Sequence, residues 1–170
     1  LSPSKKRIAV IFANYPNKDA RLGNGVGLDT PESALNILRA MEKAGFDVGN
    51  FPKDAHQIIK ILKSGPTNNF KDLKNRKIVS KLSVKLYRNW FSKLSKRSQK
   101  LILKKWGEPE TDPFFLDDNF FAISAYIRGN IAICLQPARG YNLDPVKTYH
   151  DPDLVPPHSY LAFYCWLNLK

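Results

Sequence analysis

The opening string RIAVIFANYP, at 7–16, is a short unbroken apolar run closed by a turn signal. That pattern predicts a buried strand of a parallel or mixed sheet. A glycine-rich stretch follows, and then a helix announces itself at both ends. Thr30 is a natural N-cap, Pro31 fits the first helical position and Gly45 fits the stop. Between them Leu35, Leu38 and Met41 form an apolar stripe with a polar back. DVGNF, at 47–51, predicts a second strand and 55–63 a second helix, so residues 1–70 read as a β-loop-α-β-α unit.

Residues 71–106 change character. Val84, Tyr87, Trp90, Phe91 and Leu94, then Leu101, Ile102 and Trp106, recur at three and four residues. This predicts a basic amphipathic helix broken or bent near Ser98 and ending at Gly107. In 107–170, FFAISAYI and IAICLQP flank Arg128, Gly129 and Asn130, a tight hairpin signal between strands apolar on both faces. A proline-rich loop at 141–158 is long enough to suggest function or an interface. SYLAFYCWLNL then starts a helix apolar nearly all round, the pattern of a buried helix. The fold class predicted is α/β, a layered sheet with flanking helices plus the basic helical segment, within a single fragment spanning 1–170.

Composition adds little except in charge. The 170 residues are 43% hydrophobic and 25% charged, which excludes collagen-like, coiled-coil and wholly disordered chains. The net charge of +12 is concentrated: residues 71–105 carry 13 basic side chains and 1 acidic one. Cys134 and Cys165 both lie in apolar runs, which reads as buried, reduced thiols in a cytoplasmic protein rather than a zinc ribbon or a disulfide framework. No apolar run approaches the roughly 20 residues of a membrane helix, and IAVIF is too short for a signal-peptide core.

Candidate chemistry is sparse. Gly23, Gly25 and Gly27 precede a helix start but match neither phosphate-binding glycine motif, and Asp29 and Glu32 already place carboxylates there. The loop is either conformationally demanding or a substrate or partner contact. HDPDLVPPH brings His150, Asp151, Asp153 and His158 close in sequence, a nitrogen and oxygen donor set that a divalent transition metal accepts. Proline-fixed turns use aspartate in the same way for Asx turns alone. Arg139 follows an apolar strand and offers a fork either to a carboxylate ligand or to a structural acid. In the basic segment Tyr87, Trp90 and Phe91 fall on the apolar stripe, not among the lysines, so a solvated basic face takes precedence over nucleic-acid binding. No Ser-His-Asp order or paired carboxylates stand out.

Four longer strings carry more. NKDARLGNGVGLDTPES, WGEPETDPF, GNIAICLQPARGYNLDP and YHDPDLVPPHSYLAFYCWL resemble, in this order, the family of cobaltochelatase large subunits and magnesium chelatase H-type subunits. The resemblance runs from about Lys6 to Leu167 and is weakest in the basic segment. It implies a fragment of a very large multidomain subunit that binds a tetrapyrrole and the metal ion, with AAA+ ATPase partners supplying ATP-driven insertion. The proline-rich loop favours the cobalt branch: Co²⁺ as substrate metal, inserted into hydrogenobyrinic acid a,c-diamide by a ligase that forms nitrogen–metal bonds in cobalamin biosynthesis. The alternatives are Mg²⁺ into protoporphyrin IX, or a basic module for nucleic acid or a membrane surface. Neither nucleic acid nor a transmembrane segment is expected.

On this resemblance Arg21, Asn24, Arg139, Tyr141 and His158 contact substrate, while His150, Asp151 and Asp153 are metal candidates. No catalytic residue is assigned. The family's His-Gly-rich motif would follow the last helix, and this sequence ends before it, so the 170 residues are expected to be an internal fragment that inserts no metal alone.

Overall fold

A computed structural model describes residues 1–14, 22–23, 27–141 and 153–170. Within them the chain divides into two compact α/β units, residues 1–79 with 124–136, and residues 80–123 with 137–170.

In the first unit the apolar opening run forms strand β1 (Ile8–Phe12), followed by helices α1 (Thr30–Lys43) and α2 (Ala55–Ser64). The second unit then begins with strand β2 (Ser80–Ser83), helices α3 (Val84–Phe91) and α4 (Lys96–Trp106), and strands β3 (Phe115–Leu116) and β4 (Phe120–Ile123). Strands β5 (Ala125–Arg128) and β6 (Ile131–Leu135) return to the first unit, and helix α5 (His158–Leu169) belongs to the second. The mixed α/β class and flanking helices are those the sequence predicts.

The first sheet has the order β1-β6-β5, with β1 parallel and β5 antiparallel to β6. Of the three strands, β6 is buried at all five positions because it is central. Its neighbours keep exposed positions, Ile11 in β1 and Ile127 in β5, so only one strand of the hairpin is buried on both faces. Leu35, Leu38, Ile58, Leu62, Ile131, Ile133 and Leu135 make the core under the two helices. Helix α1 starts one residue earlier than predicted: Asp29 is the cap, its Oδ1 accepting from Glu32 N at 3.0 Å. Pro31 therefore falls at the second helical position, and Gly45 takes the left-handed conformation after the helix, φ +81°.

The predicted strand DVGNF is not one. Its Asp47 carbonyl is taken by Asn130 N of the β5–β6 turn at 2.8 Å, and Gly49 bends the chain at φ +56°. A Cβ at Gly49 would stand 2.5 Å from Gly129 N, and Gly129 itself has φ +52°. Two glycine backbones pressed together here leave no room for a ladder.

The second sheet is antiparallel, in the order β2-β4-β3, and α5 packs on β4 and β2. The expected hairpin strand FFAISAYI is thus two strands in different units, divided at Ser124. Its apolarity is real, but two cores share it. The basic amphipathic segment is broken, as the sequence allows, into two helices. The break lies just upstream of Ser98, because Ser95 caps a new helix, its hydroxyl accepting from Ser98 N at 3.1 Å. Tyr87 and Phe91 of α3 and Ile102 of α4 turn inward, as the stripe predicts.

Candidate functional site

The polar interior of the second unit is built on the string WGEPETDPF. Gly107 ends α4 in a positive-φ turn at +77°, where a Cβ would crowd Thr111 Oγ1 at 3.0 Å. Pro109–Thr111 then forms one 3-10 turn, tied by Thr111 Oγ1 donating to the Glu108 carbonyl at 2.8 Å. Two acceptors emerge from this turn in fixed positions, the Gly107 carbonyl and the Asp112 carboxylate, and both meet the start of α5.

Asp112 is 3% exposed and its oxygens are occupied by donors. Oδ1 accepts from Phe114 N at 2.9 Å, and Oδ2 accepts from Ser159 N at 2.8 Å and from the Tyr141 hydroxyl at 3.2 Å. Helix α5 needs this carboxylate, since the residue at its own N-cap position is Pro157, which supplies no capping oxygen. A group 47 residues away in sequence caps it instead. Burial raises the Asp112 pKa from the usual carboxylate range, against the pull of the Phe114 and Ser159 amides.

His158, the first residue of α5, is fully buried, with Tyr87 and Phe91 rings packed on it at centroid distances of 5.6 and 5.4 Å. Nε2 lies 2.9 Å from the Gly107 carbonyl, which can only accept, so Nε2 carries the proton. Nδ1 therefore accepts from the Tyr87 hydroxyl at 2.7 Å. Burial lowers the histidine pKa from 6.5, in keeping with this neutral tautomer. Burial likewise raises the Tyr87 pKa, leaving its hydroxyl a proton donor.

Trp106 completes the arrangement. Its Nε1 donates to the Val155 carbonyl at 2.7 Å, and its ring packs against Tyr141 at 4.9 Å. The polypeptide is thereby held at Tyr141 and again at Val155, on either side of residues 142–152. On the outside Arg88 grips the same turn, with Nη2 2.6 Å from Glu110 Oε2 and 3.2 Å from Glu108 Oε2. These side chains are about half exposed, so the ion pairs contribute of order 1 kcal/mol at most.

The predicted site residues fall into three groups. Arg21, Asn24, His150 and Asp151 lie outside the described residues. Arg139 and Asp153 are exposed. Tyr141 and His158 are brought together around Asp112, but as interior anchors: His158 has both nitrogens committed and does not line an open polar surface. Among the described residues no three His, Cys, Asp or Glu side chains are grouped to hold a metal. Sequence reasoning passed over Tyr87, Trp106 and Asp112. The available signal was Pro157 before an apolar helix, which calls for a cap from elsewhere.

Two clefts in the first unit enclose about 150 and 270 Å³. The first is lined by residues including Pro66, Lys77 and Tyr126, the second by residues including Arg39 and Phe51. Both fall below the roughly 300 Å³ at which ligand pockets begin.

Fold and site together define an α/β scaffold segment whose second unit ties the start of its last helix to the turn at 107–112. The CobN/Magnesium Chelatase family model matches residues 1–170, and the chain belongs to that family. It is 48% identical over 166 residues to the aerobic cobaltochelatase subunit CobN of Sinorhizobium sp. and 46% identical over 165 residues to that of Pseudomonas aeruginosa. These alignments take in 98% and 97% of the chain but 13% of each relative, so the chain spans about an eighth of their length. It is 27% identical to the H-type magnesium-chelatase subunit of Chlorobaculum parvum, over 96% of the chain and 12% of that protein. The solved catalytic subunit of cobaltochelatase from Mycobacterium tuberculosis superposes with a TM-score of 0.78 at 36% identity, covering 98% of this chain and 14% of that one. Among the described residues no helix is long and apolar enough to cross a membrane.

Proposed function

We propose that these residues are a segment of the large subunit of a cobalt-inserting chelatase, acting on hydrogenobyrinic acid a,c-diamide with ATP hydrolysed by separate AAA+ subunits. The observation that carries the cobalt branch is the contrast in identity: 46–48% with the cobaltochelatase subunits against 27% with the magnesium-chelatase subunit. The reaction seats Co²⁺ among the four ring nitrogens of the corrinoid and releases its single ring N–H proton.

In this reading residues 139–153 are the working part. His150, Asp151 and Asp153 offer nitrogen and oxygen donors to the incoming ion. Arg139, exposed, supplies a fork for a carboxylate of the macrocycle, Arg21 and Asn24 are further candidates for substrate contact, and Tyr141 acts through Asp112. His158 serves from the interior as a positioning residue, with Trp106 and Asp112. The 170 residues alone insert no cobalt, since macrocycle, ion and ATPases require the rest of the subunit. The setting is cytoplasmic.

A chimera tests the branch. When residues 1–170 replace the corresponding segment of the Pseudomonas aeruginosa cobaltochelatase subunit, cobalt insertion into the corrinoid in the presence of the partner subunits is expected to stay within about ten-fold of the parent, about 1.4 kcal/mol of barrier. The same replacement in the Chlorobaculum parvum magnesium-chelatase subunit is expected to abolish magnesium insertion. Activity in the magnesium chimera and none in the cobalt one would reverse the assignment.

A further inference from the structure

Helix α4 carries an arrangement of charge that its own stability does not want. Lys96, Arg97, Lys100, Lys104 and Lys105 are all exposed, and at 100° per residue they fall within one half of the helix surface. Lys96, Lys100 and Lys104 stand four residues apart, a spacing at which like charges repel. Lys96 and Arg97 occupy the first turn, where the helix dipole already presents positive charge, and no acidic residue stands there.

Four of the unit's six described acids are engaged elsewhere. Glu108 and Glu110 are held by Arg88, Asp118 by Lys81 at 2.6 Å, and Asp112 is buried at the start of α5. Among the described residues none of the five α4 cations is in an ion pair. Leu101, 45% exposed, sits among them as an apolar contact.

From this we infer that the outer face of α4 is a docking surface for an acidic helix of a protein partner. The lysine row repeats about every 6 Å along some 12 Å of axis, the repeat of carboxylates placed four residues apart on an opposing helix. Two other polyanions fit less well. Tyr87 and Phe91 are buried in the unit's interior, and the Trp106 ring, 5.9 Å from Lys105 Nζ, is half-buried and committed to Tyr141 and the Val155 carbonyl rather than presented for nucleobases to stack on. The apolar side of α4, with Ile102, is packed inward and unavailable to acyl chains.

The test uses the full chain, a labelled decaglutamate peptide, a short DNA duplex, and vesicles of phosphatidylcholine with phosphatidylserine. A variant with Lys96→Gln, Lys100→Gln and Lys104→Gln is compared with a charge-matched control, Lys43→Gln, Lys53→Gln and Lys60→Gln. The α4 variant is expected to lose about ten-fold in peptide affinity at low salt and the control less than about two-fold. Separately, Lys96→Glu is expected to raise the thermal midpoint while weakening the peptide, because it removes repulsion and suits the dipole. Equal losses in the two triple variants, no binding of the peptide, tighter binding of the duplex or the vesicles, or a lowered midpoint for Lys96→Glu would each overturn the proposal.

Discussion

Asp112→Ala is expected to destabilise the second unit by about 3 kcal/mol, seen as a lowered urea midpoint at unchanged slope. The size follows from what loses its partner. The Ser159 amide loses its cap, worth about 1 kcal/mol at a helix start. The Phe114 amide and the Tyr141 hydroxyl lose their acceptor in a site where Asp112 is 3% exposed and water cannot fully replace it. Asp112→Asn keeps one acceptor and is expected to lose less. Asp117→Ala, on the exposed turn beyond, is expected to change stability by no more than about 0.5 kcal/mol. Amide exchange at Ser159 and Phe114 should quicken in Asp112→Ala, and unchanged protection there would show that the carboxylate holds neither group.

The second large effect is on pH dependence, and it comes from His158. Burial lowers its pKa in the folded chain below the ordinary 6.5, so the unfolded chain binds the extra proton first. The stability held by the neutral ring is therefore complete above pH 6.5 and is lost as pH falls through the lower, folded value. Over that window the loss approaches 1.4 kcal/mol per pH unit for a single proton. Asp112 runs the other way: its pKa is raised, so its contribution is complete below 3.8 and declines as pH rises through the folded value. Comparison of the parent with His158→Gln separates the two. Glutamine retains a donor for the Gly107 carbonyl but does not titrate, so this variant is expected to be weaker near neutral pH and flatter as pH falls below 6.5. A slope equal to the parent's would place the titration on another group.

Most elements of the fold are legible in the sequence because local rules decide them. The strand at Ile8–Phe12, the helices from Thr30 and Ala55, and the apolar last helix follow from periodicity, caps and prolines. Misread elements are those that tertiary packing decides. The run FFAISAYI is continuous in apolarity, and nothing local to Ser124 says that two sheets divide it. DVGNF has a strand's composition but lies against the turn at Gly129, a contact so distant in sequence that no local window contains it. The interruption between α3 and α4 is legible near Ser98, and the capping residue Ser95, followed by helix formers, sets it three residues earlier.

For the site, the strings WGEPETDPF and VPPHSY were visible as distinctive, and their relation was not. One supplies the Gly107 carbonyl and the Asp112 carboxylate; the other supplies the His158 ring and the Ser159 amide. Spacing alone grouped His158 with His150, whereas the fold turns it inward toward Tyr87. A histidine close in sequence to candidate ligands is thus an interior anchor at the start of the last helix.

Nitrogen-15 NMR of labelled histidine reads this arrangement directly. At pH 7, His158 is expected to be neutral with its proton on Nε2, its Nδ1 shift that of an unprotonated nitrogen accepting a hydrogen bond, and the signal unmoved when Co²⁺ is added. A proton on Nδ1, an imidazolium pattern at neutral pH, or loss of the His158 signal on titration with Co²⁺ would contradict the interior anchor and make this histidine a ligand.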